Sequence, residues 1–271
     1  MQKFGIDISN HQGVIDWSKV QTDFAIIRAG YGRELSQKDE QFERNYAECK
    51  KYNIPCGCYW YSYATTVEDA KKEAETCFEV IKGKQFEYPI YFDIEEQRQA
   101  VLGTEKVSAI IKAFCDIFEN NGYWVGVYSY KSFLESYLDE HTKNRYAIWV
   151  AHTGVEQTTY NGQFGIWQYS HTGKVNGISG DVDCNYCYLD YPNMIRNAGL
   201  NGFTKAPERS YTEYTVKRGD TLWGIAKELL GDGSQYRKIK EVNGLVTDII
   251  YPNQVLKIPV KSKKLCHTID F

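Results

Sequence analysis

Short apolar runs rich in β-branched and aromatic residues recur along the first 190 or so positions, each about the length of a strand. They read FGIDIS at 4–9, FAIIRAG at 24–30, PCGCYWYS at 55–62, PIYFDIE at 89–95, WVGVYS at 124–129, YAIWVA at 146–151, FGIWQYS at 164–170 and DVDCNYC at 181–187. Between several of them, apolar positions fall at helical spacing. Residues 36–52 put Phe42, Tyr46 and Cys49 on one face behind Ser36, with Asp39 three residues on as in a capping box. Thr66, followed by Asp69, opens a second helix carrying Ala70, Ala74, Cys77, Phe78 and Ile81, and a third runs from Thr104 to a stop at Gly122. Eight strands alternating with helices predict an α/β fold, a (β/α) barrel somewhat below the usual size of about 250 residues. Some of its later helices are therefore expected to be brief or missing.

Periodicity is lost over 192–213, where Pro, Asn, Gly and charges gather, and a linker is expected over 196–212. A smaller pattern follows. Tyr214 to Val216 and Val255 to Pro259 read as strands, with helices between them at 220–230, capped by Asp220 or Thr221, and at 234–242. The expected organisation is a barrel over 1–195, a linker, a small α+β (βααβ) module over 213–260 and a tail over 261–271.

Composition narrows the function. The chain has 271 residues, 42% hydrophobic and 25% charged, enough to bury a large core. Its 22 Tyr and 6 Trp suggest stacking surfaces for sugar-like ligands, although Tyr is also a good strand residue. Residues 200–271 hold 12 Lys+Arg against 8 Asp+Glu, and residues 1–199 hold 20 against 27, a split that suits two modules with a basic second one. No basic block is dense enough to imply nucleic acid. The start lacks the pattern of a signal peptide and no stretch is apolar enough to insert in a membrane, so synthesis in the cytoplasm is expected. The eight Cys fall mostly on apolar faces and read as reduced thiols; Cys184 and Cys187 have metal-like spacing but no partner pair, and are expected to be structural.

The chemistry concentrates in carboxylates. In YFDIE, Asp93 and Glu95 are two residues apart, so on a strand both project from one face with Cα atoms about 6.6 Å apart and carboxyls roughly 5 to 7 Å apart. Glycoside hydrolysis needs such a pair, one carboxyl protonated as general acid and the other ionised. Both lie at the C-terminal end of their strand, the rim where barrel active sites form. The same test selects Asp7 in FGIDIS and Asp183 in DVDCNYC, each of which would otherwise serve as a strand-end cap. Strands one and eight adjoin in a closed barrel, so four acids converge and at least one pKa should rise. Tyr31, Tyr59, Tyr61, Tyr128, Trp149, Trp167 and Tyr169 recur at this rim, partly as sugar platforms and partly as core. The five His show no metal-ligand spacing, although His11 is a candidate polar group at the rim, and no serine-hydrolase, Walker or dinucleotide motif is present. Neither a metal nor a cofactor is expected.

DISNHQG, YFDIE, WVA, WQY and DVDCNY, in that order over residues 3–192, resemble glycoside hydrolase family 25, the Chalaropsis-type muramidases. The resemblance implies an irregular α/β barrel and hydrolysis of the β-1,4 bond between N-acetylmuramic acid and N-acetylglucosamine. It implies Glu95 as general acid/base, Asp93 as second carboxylate, and Asp7 and Asp183 as acids that shape the site. Asp93 either attacks the sugar or orients the 2-acetamido group, which then closes an oxazolinium ring. Tyr61, Tyr128, Trp149, Gln168 and Tyr169 become substrate-side candidates, though Gln168 has the opposite strand parity to Tyr169. YTVKRGDTLWGIAKELLG with IIYPNQVLKIP resembles a LysM domain, which implies N-acetylglucosamine-containing glycans in a groove formed by Gly219, Asp220, Thr221, Leu222, Ile249 and Ile250. Pro252-Asn253-Gln254 stands where many such domains have Pro-Gly-Gln, which Asn tolerates by accepting positive φ. The expected partner is peptidoglycan, reached by an endolysin-like protein after holin-mediated or lytic release. A silent wall-binding barrel is the alternative, as is a chitinase or glucosaminidase, although the DGxDxDxE pattern of family 18 chitinases is absent.

Overall fold

A computed structural model describes residues 2–205 and 211–259, which form two compact units. In the first, every apolar run is a strand: β1 (Lys3–Ile8), β2 (Phe24–Tyr31), β3 (Cys56–Tyr61), β4 (Ile90–Asp93), β5 (Val125–Tyr130), β6 (Ala147–Ala151), β7 (Ile166–Gly173) and β8 (Val182–Cys187). They close into a barrel in chain order. β1 to β7 are parallel neighbours, but β8 runs antiparallel to both β7 and β1. The cause is chain length: only residues 174–181 join β7 to β8, too few for the dozen or more residues of a parallel crossover.

Helices α1 (Phe42–Lys51), α2 (Val67–Ile81), α3 (Gln97–Ala100), α4 (Thr104–Asn120), α5 (Lys131–Tyr137), α6 (Glu140–Arg145) and α7 (Tyr191–Ala198) complete this unit, and 152–165, between β6 and β7, contains none. Thr66 caps α2 through the Asp69 amide as expected. Ser36 does not start α1. It lies in a 3₁₀ turn, and Asp39 is turned inward to accept from Arg28 Nε at 2.8 Å and from the amides of Asn10 and Gln41 at 2.9 Å.

Strand parity sorts the core into two layers. Ile6, Ile8, Ile27, Cys58, Ile90, Phe92, Val127 and Val150 pack outward against the helices, with Phe92, Phe114 and Phe118 stacked at 4.2 and 4.9 Å. Phe24, Ile26, Tyr91, Tyr128, Trp149 and Ile166 fill the barrel. Room for the inner rings comes from Gly5 and Gly126, where a Cβ would lie 2.2 Å from the Phe24 ring and 2.5 Å from Tyr91. Cys184 belongs to the outer layer and Cys187 to the inner one, so the two thiols face apart.

The expected linker begins too early at residue 196. α7 runs to Ala198, and Asn201, fully buried with φ 55°, donates to the carbonyls of Phe86 and Tyr88 and accepts from the Trp124 amide. Together with Tyr191 and Ile195 it closes the N-terminal end of the barrel. A segment held by side-chain bonds to backbone carries no hydrophobic period, which is why it reads as a loop. Residues 206–210 of the expected linker, and the tail from 260 onward with Cys266, lie outside the described residues.

The second unit is the expected βααβ: β9 (Tyr211–Thr215), α8 (Leu222–Leu230), α9 (Tyr236–Val242) and β10 (Val255–Pro259), with β9 and β10 antiparallel around Val216, Ile225, Ile239, Leu256 and Ile258. Its described residues 211–259 carry 7 Lys+Arg against 6 Asp+Glu, so the basic surplus of this half lies outside the folded module.

Replacing Asn201 by Ala should leave three buried backbone groups unpaired and cost about 3 kcal/mol, read as a lower urea midpoint for the barrel transition at unchanged slope. A midpoint shift below about 0.5 kcal/mol equivalent would show that Asn201 does not hold the barrel end together.

Candidate active site

Three inward side chains build the floor of the open end. Asp7 Oδ2 accepts from Gln168 Nε2 at 2.9 Å and from Asn185 Nδ2 at 2.7 Å. The amide oxygens are occupied in turn: Tyr128 donates to Gln168 Oε1 at 2.9 Å and Trp149 Nε1 to Asn185 Oδ1 at 2.8 Å. Each amide is thereby oriented with its NH₂ toward the carboxylate. All five residues are buried. Tyr128, Trp149 and Gln168, expected to touch substrate, therefore sit in the network beneath the acids. Trp149 is enclosed by the rings of Tyr59, Tyr91 and Tyr128.

The four expected acids come together on this floor. Asp7 and Asp183 are direct partners across the β1–β8 ladder. Asp183 reaches the rim because β8 is reversed, being its second residue, whereas Asp7 is the next to last of β1. Asp93 ends β4, between Tyr61 on β3 and Tyr128 on β5. Glu95 lies past the strand end, so simple strand alternation does not place it; the Ile94 amide bonds to Tyr128 O at 3.1 Å and Ser129 Oγ donates to Ile94 O, and these fix the segment as it leaves the sheet.

Burial pushes all four carboxyls up. Asp7 rises to about 8 through desolvation first and the Asp183 charge second, with its two amide donors opposing. Glu95 rises to about 7 through desolvation, against the Tyr130 hydroxyl that donates to it, with Glu96 and Asp7 raising it further. Asp183 rises to about 6 through desolvation and Glu95. Asp93 is held well above the carboxylate range by desolvation, Glu95 and Asp7, with Arg28 opposing. Asp93 Oδ1 and Glu95 Oε2 are buried and have no hydrogen-bond partner within the protein. Among the described residues, no group of three His, Cys, Asp or Glu is placed to hold a metal ion.

Several contributors escape the motif reading. Arg28 is inward on β2 and is fixed by Asp39 and by Asn10 Oδ1. His11, a candidate rim group, has its Nε2 3.4 Å from Arg28. A lone charge at inward parity in FAIIRAG was the available signal. Asn185 and Tyr130 carried none that separates them from ordinary strand residues.

Two hollows border residues that neighbour the acid cluster. On the β2–β3 side Tyr61 donates to Glu96 Oε1 at 2.7 Å, and Tyr61, Tyr63 and Tyr31 follow edge to face at 5.2 and 6.0 Å. Beside them a space of about 420 Å³ is bounded by Gly32, Arg33, Glu34, Gln37, Tyr63 and Arg98. On the β7 side a space of about 510 Å³ lies between 153–156 and 169–172. Tyr169 stacks on Tyr186 at 4.4 Å against the outer layer and does not enter the acid cluster.

In the small module, Gly219 has φ 93° and Asp220 Oδ2 accepts from the Lys217 amide at 2.7 Å and Tyr214 OH at 2.9 Å. Thr221, not Asp220, caps α8. Asn253 takes φ 69° as expected. Leu222 is buried in the module core and Ile250 packs on that core, so of the expected apolar groove residues Ile249, 62% exposed, is the one that faces solvent.

The sequence matches glycosyl hydrolases family 25 over residues 6–178 and the LysM domain over residues 214–259. It is 31% identical over 184 residues to the autolytic lysozyme of Clostridium acetobutylicum, a match covering 66% of this chain and 54% of that protein. The modular autolysin LytC of Streptococcus pneumoniae has a similar structure, with TM-score 0.61 at 32% identity over 69% of this chain and 47% of that one. The CTP1L endolysin gives TM-score 0.64 at 25% identity over 72% of this chain and 70% of that one. The chain thus spans about half the length of the clostridial and pneumococcal proteins.

The raised carboxyls fix a pH dependence of stability. Asp7 titrates at 3.8 when unfolded and about 8 when folded, so between those values the folded state holds the extra proton. Its stability contribution is complete below pH 4 and is lost as pH rises toward 8. The melting temperature should therefore fall between pH 5 and 8, and less steeply in Asp7→Asn. Parallel curves for the two proteins would contradict the assignment.

Proposed function

The chain belongs to glycosyl hydrolases family 25 and carries a LysM domain, and we propose that it is a peptidoglycan hydrolase of the lysozyme type. It cleaves the β-1,4 bond from N-acetylmuramic acid to N-acetylglucosamine, with the LysM domain holding it on the wall. The observation that carries this reading is the pair of unpartnered, buried oxygens, Asp93 Oδ1 and Glu95 Oε2, at the open end of a barrel closed at the other.

Glu95, pushed up to about 7, keeps a substantial protonated fraction at neutral pH and gives its proton to the glycosidic oxygen as the C1–O bond breaks. Asp93, in its ionised form, serves the positive charge that develops at C1. Its free Oδ1 suits an acetamido N–H, whose carbonyl oxygen then closes on C1; the same oxygen also suits direct attack. In either course Glu95, now a carboxylate, takes a proton from the water that opens the intermediate, with retention. Asp7 helps to hold the Asp93 carboxyl up, and Arg28 opposes that rise. The flanking hollows and the tyrosines at the rim support a glycan strand running across the acids. A thiazoline analogue of the cyclised sugar separates the courses, because it inhibits only an enzyme that uses the acetamido group.

The LysM domain supplies local concentration at an insoluble polymer, as a linked second site does. Similarity to an endolysin and an autolysin supports a role in lysis of bacterial walls, reached from the cytoplasm after release. No helix among the described residues is long and apolar enough to cross a membrane.

Peptidoglycan digested by the purified protein and reduced with borohydride should yield muramitol at the new ends. Glucosaminitol would assign the other bond, and an absence of new reducing ends would favour a wall-binding protein. Glu95→Gln should lower turnover about 10³-fold with wall binding and melting unchanged. Deleting the residues from 206 onward should weaken pull-down by purified walls while leaving cleavage of soluble glycan strands within about twofold.

A further inference from the structure

An irregularity in β7 aims one more side chain at the acid cluster. Gln168 opposes Asn185 and Ser170 opposes Cys184, so two steps of β7 match one of β8 and Tyr169 is the extra residue of a bulge. Without it, alternation from inward Gln168 would bring residue 170 to the site. With it the inward place falls to His171, whose Nδ1 lies 3.0 Å from Asp183 Oδ1. His171 also borders the hollow of about 510 Å³ on this side of the acids.

We propose that His171 is a positioning residue for the hydrolysis: it holds Asp183 by a hydrogen bond and places a titratable cation against the carboxyl cluster, so that its charge sets the pH range in which the site works. This rests on the glycosidase reading above. The charged groups around the ring are Asp183 on β8, which it bonds, Glu95 after β4 and Asp7 on β1, on which its charge acts, and Glu156, which lines the same hollow, while the connecting hairpin carries the Lys174–Asp181 ion pair. A positive ring favours the anionic forms of its neighbours, and its charge opposes the rise of both Glu95 and Asp7. Cleavage needs Glu95 protonated and a second carboxyl ionised, so one shared cation moves both limbs of the pH profile together.

Two replacements separate bonding from charge. His171→Asn keeps an N–H donor for Asp183 and loses the charge; His171→Leu loses both. In His171→Asn both limbs of the kcat/KM profile on peptidoglycan should move to higher pH by about half a unit, with kcat at the optimum within about threefold of wild type. His171→Leu should lose about tenfold in kcat at little change in KM, with Asn restoring most of it. An unmoved pH profile in His171→Asn overturns the proposal, as does a rise in KM alone, which would make His171 a substrate contact. Titration of the Glu95 carboxyl carbon by NMR in the full-length protein should also move upward in His171→Asn. That readout needs no turnover: an upward shift in a protein that fails to cleave peptidoglycan rejects the glycosidase reading and keeps the His171–carboxyl coupling, whereas no shift rejects the coupling itself.

Discussion

Four carboxyl groups share one end of a closed barrel, largely out of water, and most of the surrounding polar structure answers the cost of keeping them there. Desolvation is the leading cause of the raised pKa at each of the four. Full ionisation would place like charges in a poorly screened space, so the cluster retains protons at neutral pH. The molecule limits the repulsion in two ways. Neutral donors are aimed at Asp7 by amides that are themselves fixed by Tyr128 and Trp149, so no reorganisation is needed when charge develops. Arg28, fixed by the buried Asp39, approaches at one edge, and the His171 ring bonds Asp183 at another. The cluster is a place where the fold gives up stability for chemistry.

The strands were legible because each apolar run is short, rich in β-branched and aromatic residues, and bounded by turn residues. The acids at their ends were legible because a carboxylate in such a run has no packing reason to be there. What was hidden depended on the third dimension. The reversal of β8 followed from a short connection whose meaning appears only once the barrel closes. Asp39 had the spacing of a helix cap, and its real partner, Arg28, is distant in sequence. Parity placed Tyr169 and His171 on the same face as each other and opposite Gln168, and the bulge reassigned them. Asn201 lay in a stretch that reads as linker because its work is done through backbone carbonyls, which leave no trace in residue pattern.

The small module was the easier half to read, since its fold depends on local punctuation: Gly219 and Asn253 at positive φ and Thr221 as helix cap. Its net charge was not so readable. The lysines that make the C-terminal half basic lie mostly beyond the folded residues, and 211–259 is close to neutral. A module so close to neutral exerts little long-range attraction on a charged polymer, and its exposed side chains, such as Ile249, meet solvent without a strong field behind them.

The antiparallel strand that closes the barrel also orders its assembly in time. β1 is made first, yet one of its edges has no partner until β8, more than 170 residues later, arrives to pair with it and with β7. Loop closure over that separation is the slow, entropically costly step of such a topology. The same strand brings Asp183 and Asn185, so the last strand synthesised in the barrel completes both the sheet and the carboxyl cluster. A nascent chain therefore holds Asp7, Asp93 and Glu95 without the geometry that makes them a site, and the cluster's electrostatic cost is met only when the whole ring of strands is present to bear it.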